Sequence, residues 1–201
     1  MKGFTIAATW LACALAAVPA YAADGGALTA EAAATLTPNG YVWHDAEQPG
    51  DIRIVVSIAD QRAYVYRDST LIAASSVSTG KEGKETPVGF YPILQKNEVH
   101  HSNLYNSASM PYMQRLTWDG IAIHAGANPG FPASHGCIRV PTAFAKKLFA
   151  ITQLGTTVEV TDASVAAGET GDTLVPADVM ARAEAEKTAR ANVHQLASLD
   201  R

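Results

Sequence analysis

Short segments rich in β-branched and aromatic residues run through the middle of the chain, and in residues 62–67 these residues alternate with polar ones. Such segments, separated by turn-forming residues, predict the strands of an antiparallel sheet or barrel. Asp60 and Gln61 separate the first two segments, which predicts a hairpin. The predicted strands cover residues 52–58, 62–67, 71–77, 88–94, 121–124 and 156–160. The sequence therefore predicts a mainly β domain.

One segment after residue 140 has a helical rather than an alternating pattern. Phe144, Leu148 and Ile151 recur at the spacing that places side chains on one face of a helix. Pro141 suits the first position of a helix, because its missing N–H would have no intrahelical partner there. A loop rich in glycine and proline, residues 125–134, precedes this region. The pattern predicts a helix over 142–151 that packs on the β domain.

The first 22 residues have the pattern of a secretory signal peptide. Lys2 is followed by an apolar run and by the small-x-small motif of residues 20–22. An uncleaved anchor and lipidation at Cys13 are the alternatives. We expect an exported protein of the periplasm or cell envelope.

Length and composition favour one domain after this segment. The chain has 201 residues, of which 48% are hydrophobic, enough to bury a core. We assign residues 51–162 to the domain, 23–50 to a leader segment and 163–201 to an Ala- and Glu-rich tail that is helical in part. The formal net charge of -4 argues against a nucleic-acid partner, because such proteins usually carry a basic face.

The cysteine content points to a reactive thiol. The chain has two cysteines, and cleavage after residue 22 would leave Cys137 alone. A single thiol cannot form an intramolecular disulfide in an oxidising compartment. It is therefore either a reactive group or an inert, buried core residue.

The neighbours of Cys137 favour a reactive role. A cysteine attacks as its thiolate and needs a nearby base, because an unperturbed thiol with a pKa of about 8.5 is mostly protonated at neutral pH. His135 lies two residues before Cys137, and His124 ends a predicted strand. Gly136 allows the backbone to approach a substrate closely. Two alternatives remain: hydrogen-bonded structural histidines, and a zinc site made by His124, His135 and Cys137 without the usual zinc-site spacing.

These residues belong to a longer ordered pattern. The pieces are Ser78-Thr79-Gly80, Thr86-Pro87-Val88-Gly89-Phe90-Tyr91, Ile123-His124-Ala125-Gly126 and Ser134-His135-Gly136-Cys137-Ile138-Arg139-Val140-Pro141. In this order they resemble the signature of the L,D-transpeptidase catalytic domain, or YkuD, family. The likeness covers about residues 52–160, and the loop from His124 to Ser134 is short for the family.

The resemblance implies a YkuD-type β-sandwich or barrel with a helix after the catalytic cysteine, and it implies roles for the site. Cys137 would be the nucleophile and His124 its general base, oriented by the backbone carbonyl of Ala125. His135 would support the site or contact substrate, and Gly136 would stabilise the oxyanion through its backbone. The candidates for substrate binding are Ser134, Arg139, Tyr112 and Trp118. An architectural role is the alternative for Ser134, and core packing or an ion pair is the alternative for the other three.

The resemblance also implies acyl transfer between peptidoglycan stem peptides, one as donor and one as acceptor, through a thioester. Carbapenems are expected inhibitors, and no metal or organic cofactor is expected. Water, a free D-amino acid or an envelope protein could replace the acceptor stem. A non-catalytic wall-binding module of the same fold is the alternative from another class.

Overall fold

A computed structural model describes residues 28, 30–44, 49–102 and 107–166 of the chain. The predicted signal peptide and Cys13 lie outside the described residues. The predicted tail also lies outside them, apart from residues 163–166. In the described part, no helix is long and apolar enough to cross a membrane.

The described residues form two sheets and two helices. In chain order the elements are α1 (Ala30–Ala34), β1 (Tyr41–Trp43), β2 (Ile52–Ser57), β3 (Arg62–Arg67), β4 (Thr70–Ser76), β5 (Gly89–Pro92), β6 (Gln95–Asn97), β7 (Met113–Arg115), β8 (Ala122–Ala125), β9 (Ile138–Val140), α2 (Thr142–Ile151) and β10 (Thr157–Thr161). The mainly β fold class is confirmed.

The larger sheet has six strands in the order β1-β4-β3-β2-β10-β5. Strands β2 and β3 form the predicted hairpin, with Ile52 opposite Arg67 and Ser57 opposite Arg62. Gln61 closes its turn at a φ of 51°, in the left-handed region. Strand β10 returns parallel to β2, which places the last strand in the centre of the sheet.

The smaller sheet has four strands in the order β6-β7-β8-β9, and it carries the site. Strands β8 and β9 are parallel, with His124 opposite Arg139. Helix α2 follows β9 directly and packs against β8. Its apolar stripe faces inward, since Phe144 and Leu148 are fully buried.

The main core lies among the two sheets and α2. Burying a large aliphatic or aromatic side chain contributes about 1.5–3 kcal/mol relative to exposure, so this cluster is the principal source of stability. Its fully buried members include Ile54, Val56, Val65, Ile138, Phe144, Leu148 and Val158.

The predicted elements match the observed ones except near the N-terminus, where α1 and β1 were missed, and at β6, β7 and β9, which were not predicted. Helix 142–151 has the predicted bounds, and the predicted strands agree within a few residues. Strands β6 and β7 are three residues each, too short to show an alternating pattern.

Part of the segment 23–50, assigned to a leader, is built into the fold. Strand β1 pairs with β4 at the edge of the larger sheet. Ala33 of α1 is fully buried in a second cluster with Tyr64 and Ala74. The Arg62 guanidinium donates to the carbonyls of Ala33 (3.1 Å) and Ala34 (3.0 Å) at the end of α1. The sequence did not predict that this segment packs on the sheet, because an Ala-rich helix buries little surface and has no wide apolar stripe.

Candidate active site

The alternation of side chains along β8 and β9 separates a core face from a site face. Successive residues in a strand point to opposite sides of the sheet. Ile123 and Ile138, opposite each other, point into the main core. Their neighbours His124, Arg139 and Cys137 therefore share the other face. This register brings together residues that are more than ten positions apart in the sequence.

A cleft of about 210 Å³ opens on the site face. It brings together five of the predicted site residues. Its lining comprises Ser102, Ala108, Ser109, Met110, Gly120, His124, Ala133, Ser134, His135, Cys137 and Arg139. Sequence reasoning missed Ser102, Met110 and Gly120, which belong to no recognised motif.

His124 is held by the carbonyl of the next residue. Its Nδ1 lies 2.8 Å from the backbone oxygen of Ala125, and its side chain is buried. When Nδ1–H donates to this carbonyl, Nε2 carries the lone pair that can accept a proton. The absence of a side chain on Gly126 leaves space for Arg139, because a Cβ there would lie 3.0 Å from Arg139 Cδ.

Burial is the main cause of the lowered pKa of His124. The hydrogen bond to the Ala125 carbonyl opposes this effect, while the charges of Arg139 and His100 add to it. Because the pKa lies below its ordinary value, the imidazole is neutral at neutral pH. A neutral imidazole is the form that can act as a base.

The Cys137 thiol is half-buried and lies against apolar side chains. It is packed against the cluster of Met110, Met113 and Ala122, and its Sγ donates to the carbonyl of Gly120 at 3.3 Å. Burial raises the pKa of the thiol, against opposing effects from the Ala122 backbone, Arg115 and Arg139. Cys137 and His124 are therefore a neutral thiol and a neutral imidazole at rest.

Ser134 organises the turn that presents Cys137. Its Oγ donates to the carbonyl of Cys137 (2.5 Å) and accepts from the N–H of Gly136 (3.0 Å). Gly136 has a φ of 112°, and a Cβ on it would lie 2.7 Å from Ile121 Cδ1. The left-handed φ favours glycine here, and a Cβ would also require the end of the Ile121 side chain to move.

The Gly136 N–H, which the resemblance assigns to oxyanion binding, has a partner within the turn in this geometry. That partner is Ser134 Oγ. The backbone of Gly136 therefore shapes the turn in this geometry. Ser134 lines the cleft, and its buried side chain bonds to the backbone of Cys137 and Gly136.

Hydrogen bonds from residues 78–86 hold the turn that carries Gly136 and Cys137. Ser78 and Arg139 exchange two backbone hydrogen bonds, of 2.9 and 3.0 Å. Thr86 Oγ1 donates to the carbonyl of Gly136 (2.8 Å) and accepts from the N–H of Gly80 (2.9 Å). The upstream motif pieces thus support the cysteine turn structurally, a role that their residue types alone did not indicate.

Of the remaining predicted site residues, two line the cleft and two do not. His135 is exposed on the cleft, and Arg139 lines it while donating to Ser78 Oγ at 3.3 Å. Tyr112 does not line the cleft; its ring packs against Phe149 of α2 at a centroid distance of 5.8 Å, which is the core-packing alternative. Trp118 is 62% exposed and lines a neighbouring cleft.

The zinc alternative has no support from the described residues. Among them, no group of three or more His, Cys, Asp or Glu side chains is arranged to hold a metal ion.

The fold and the site together define a two-sheet domain that presents a cysteine beside a carbonyl-oriented histidine. The model of the L,D-transpeptidase catalytic domain (YkuD) family matches residues 51–160, more than half of the chain. The chain belongs to this family. A comparison with curated protein sequences finds no significant match.

Solved L,D-transpeptidases have the same fold. One from Stackebrandtia nassauensis is 26% identical, with a TM-score of 0.51, over 59% of this chain and 58% of that one. LdtMt1 in complex with imipenem is 25% identical, with a TM-score of 0.50, over 55% and 58%. One from Mycobacterium tuberculosis H37Rv is 24% identical, with a TM-score of 0.52, over 55% and 57%. The chain thus matches less than two thirds of the length of each.

Proposed function

We propose that this chain is a cysteine-dependent L,D-transpeptidase that acts on peptidoglycan stem peptides. The observation that carries the proposal is the 2.8 Å contact between His124 Nδ1 and the Ala125 carbonyl, in a cleft shared with the Cys137 thiol. A carbonyl acceptor fixes the tautomer whose Nε2 can take the thiol proton, as a carboxylate does in a triad. Membership of the family supports the reaction class.

Acylation begins with proton transfer from the thiol to His124 Nε2. The sulfur attacks the carbonyl carbon of an L-centre in the donor stem, and a C–S bond forms. When the C–N bond to the terminal D-residue breaks, the imidazolium returns the proton to the leaving amine. The products are a thioester on Cys137 and a free D-amino acid. The neutral resting pair favours general-base activation over a preformed thiolate.

An amine of a second stem peptide then resolves the thioester. It attacks the acyl carbon, the C–S bond breaks, and the amine proton passes through His124 to the sulfur. Water in place of the amine would give carboxypeptidase activity, and a free D-amino acid or an envelope protein would give other products. His135 and Arg139, on the wall of the cleft, are placed to contact either peptide.

The proposed reaction takes place outside the inner membrane, in the periplasm or cell envelope, because the substrate is located there and because residues 1–22 have a signal-peptide pattern. A carbapenem should acylate Cys137 through its strained carbonyl. The structure of LdtMt1 in complex with imipenem supports this expectation.

Product analysis tests the function. Purified tetrapeptide muropeptides are incubated with the wild type or with Cys137→Ser, and the products are separated and weighed. We expect crosslinked dimers linked through an L-centre donor with the wild type and none with Cys137→Ser. Tripeptide alone would identify a carboxypeptidase, and no product from the wild type would refute the proposal.

A further inference from the structure

A second cleft of about 160 Å³ adjoins the first at the thiol. The two clefts share Ser102, Met110 and Gly120, and the Gly120 carbonyl is the group that accepts from Cys137 Sγ. Cys137 therefore lies at the junction of the two clefts. The side chains particular to the second are His100, Met113, Arg115, Trp118 and Ala122.

The strand register aligns Arg115 with the thiol. Arg115 lies opposite Ala122 on β7 and β8. Ile123 lies opposite Ile138, so Cys137, one residue earlier, is lateral to Ala122. Arg115, Ala122 and Cys137 therefore form one row across three strands and face the same side of the sheet. The backbones of Arg115 and Cys137 are two strand spacings apart, which is roughly 10 Å. Ala122, the small residue between them, lines the second cleft together with Met110 and Met113.

The Arg115 guanidinium is positioned by neutral groups. Its Nε donates to Gln95 Oε1 at 2.8 Å, and its Cζ lies 5.9 Å from the centroid of the Trp118 ring. None of the side chains that line the second cleft is acidic. Within the described ranges the only ion pair is Arg53 with Glu159, so Arg115 has no carboxylate partner there. Its charge does reach the site, since it opposes the raised pKa of Cys137.

We propose that the second cleft binds the terminal carboxylate of the D-residue that leaves the donor, and that Arg115 pairs with it. The inference rests on the proposed transpeptidase function. In such a donor the carboxylate carbon lies three bonds beyond the attacked carbonyl carbon, roughly 3–4 Å away. With that carbonyl at Cys137, the carboxylate reaches into the second cleft, whose lining includes Arg115. A guanidinium binds a carboxylate through parallel hydrogen bonds, which suits a fixed position.

The pairing makes Arg115 a specificity-determining residue. A donor with one residue beyond the scissile bond places its free carboxylate at the guanidinium. A donor that continues further, or ends in an amide, leaves the Arg115 charge without a partner. The cleft therefore selects peptides that end one residue after the L-centre.

The test compares acylation of the full chain by three donors, in the wild type and in Arg115→Gln. The donors are a tetrapeptide stem, the same peptide with its terminal carboxylate amidated, and the same peptide with an internal carboxylate amidated. Lys146→Gln, which removes a charge from the exposed face of α2, is the matched control. Thiol activation affects all donors alike, so it cancels in the ratio of their kcat/KM values.

We expect terminal amidation to lower the kcat/KM of the wild type and of Lys146→Gln roughly 10- to 100-fold, the effect of losing a charge-assisted hydrogen bond. In Arg115→Gln the acid donor should fall by a similar factor, and the ratio of acid to amide should approach one. Three outcomes would overturn this inference but not the proposed function. They are a wild-type ratio of acid to amide kcat/KM near one, a ratio that Arg115→Gln leaves unchanged, and a dependence of kcat/KM on the internal carboxylate instead of the terminal one. A wild type that reacts with no donor would overturn the proposed function as well.

Discussion

At the scale of single residues, the site depends on a hydrogen bond between neighbours in the chain. His124 donates through Nδ1 to the carbonyl of the residue that follows it, at 2.8 Å. A carbonyl carries no formal charge, so it orients the ring without raising the pKa of the imidazole as strongly as a carboxylate would. The imidazole stays neutral near neutral pH, which is the state that the proposed general-base mechanism needs.

Replacement of His124 tests its role as the base. We expect His124→Ala to lower the acylation rate with a stem-peptide donor on the order of 10²–10⁴-fold, the usual contribution of a general base. The loss should be smaller with a highly electrophilic probe, which needs less activation. His44→Ala, exposed beyond β1, is the control and should react like the wild type. Equal acylation by wild type and His124→Ala would rule out the assignment.

The pH dependence of thiol alkylation tests whether the resting pair is neutral. Burial raises the pKa of Cys137 and lowers that of His124. The thiol is then protonated at pH 7, and the thiolate fraction grows with pH up to its raised pKa. Alkylation by iodoacetamide should therefore rise from pH 6 to pH 9 without a plateau. A plateau that begins at acidic pH would indicate a preformed thiolate–imidazolium pair.

At the scale of elements, the smaller sheet divides its side chains between the core and the site. Ile123, Ile138 and Val140 are buried in the main core beside α2, while His124 and Arg139 face the cleft. Packing of α2 on the core face therefore fixes the strands that carry the reactive groups. Loosening this helix should affect stability first and the site through it.

Lys96 binds the end of α2, so its replacement tests how much the anchoring of this helix contributes to stability. Its Nζ donates to the carbonyls of Phe149 and Thr152, each at 2.6 Å, and lies 4.2 Å from the Phe149 ring centroid. Lys96→Met should lower the free energy of unfolding by about 1–2 kcal/mol, because two helix-end carbonyls lose a charged donor. Denaturant unfolding measures this, with the exposed Lys146→Met as control. Equal stability of the two variants would contradict the assigned role.

The sequence predicted elements well where a pattern had enough length. Helix 142–151 carries three apolar residues at helical spacing, and the β2–β3 hairpin pairs six residues on each side, with a β-branched first strand and an alternating second strand. Arg115 and Met113 were missed because β7 has three residues and its place beside β8 depends on register. Tyr112 was a pocket candidate, but its φ of 55° and its contact with Phe149 depend on tertiary packing.

Five residues of the motif line the cleft, but the sequence did not predict every contact among them. The proximity of His124 Nδ1 and the Ala125 carbonyl agrees with the expectation from the family resemblance. The engagement of the Gly136 N–H by Ser134 Oγ could not be predicted, because it depends on the rotamer of one serine.

At the scale of the whole molecule, one carboxylate joins the first hairpin to the chain after the last strand. Asp60, in the β2–β3 turn, accepts from Ser164 Oγ (2.6 Å) and from the backbone N–H groups of Val165 (2.9 Å) and Ala166 (3.1 Å). Val165 is buried in the second cluster, near Ala33 of α1. The two ends of the described chain thus meet on one face of the larger sheet.

The pH dependence of stability tests this junction. Burial acts to raise the pKa of Asp60, but the hydrogen bonds from Ser164, Ala166 and Tyr64 outweigh it and hold the pKa below its ordinary value. A group whose pKa is lowered by folding adds stability above its unfolded pKa of about 3.9, and this is lost as the pH falls through the folded value.

Asp60→Asn should therefore be less stable than the wild type by about 1–2 kcal/mol at pH 7, allowing for partial exposure. The difference should shrink below about pH 4, as the wild-type carboxylate becomes protonated. Asp68→Asn is the control, because Asp68 accepts from the Asp51 N–H in an exposed turn. A difference that is independent of pH would show that the Asp60 charge is not what holds the junction.

The central claim, that Cys137 forms a thioester with a stem peptide, is tested most directly by intact-protein mass spectrometry. The wild type and Cys137→Ser are mixed with a tetrapeptide donor, and melting curves confirm that both are folded. The account predicts a wild-type adduct equal to the donor minus its terminal D-amino acid, mapped to Cys137, and no adduct on Cys137→Ser. An unmodified wild type, or the same adduct on Cys137→Ser, would contradict it.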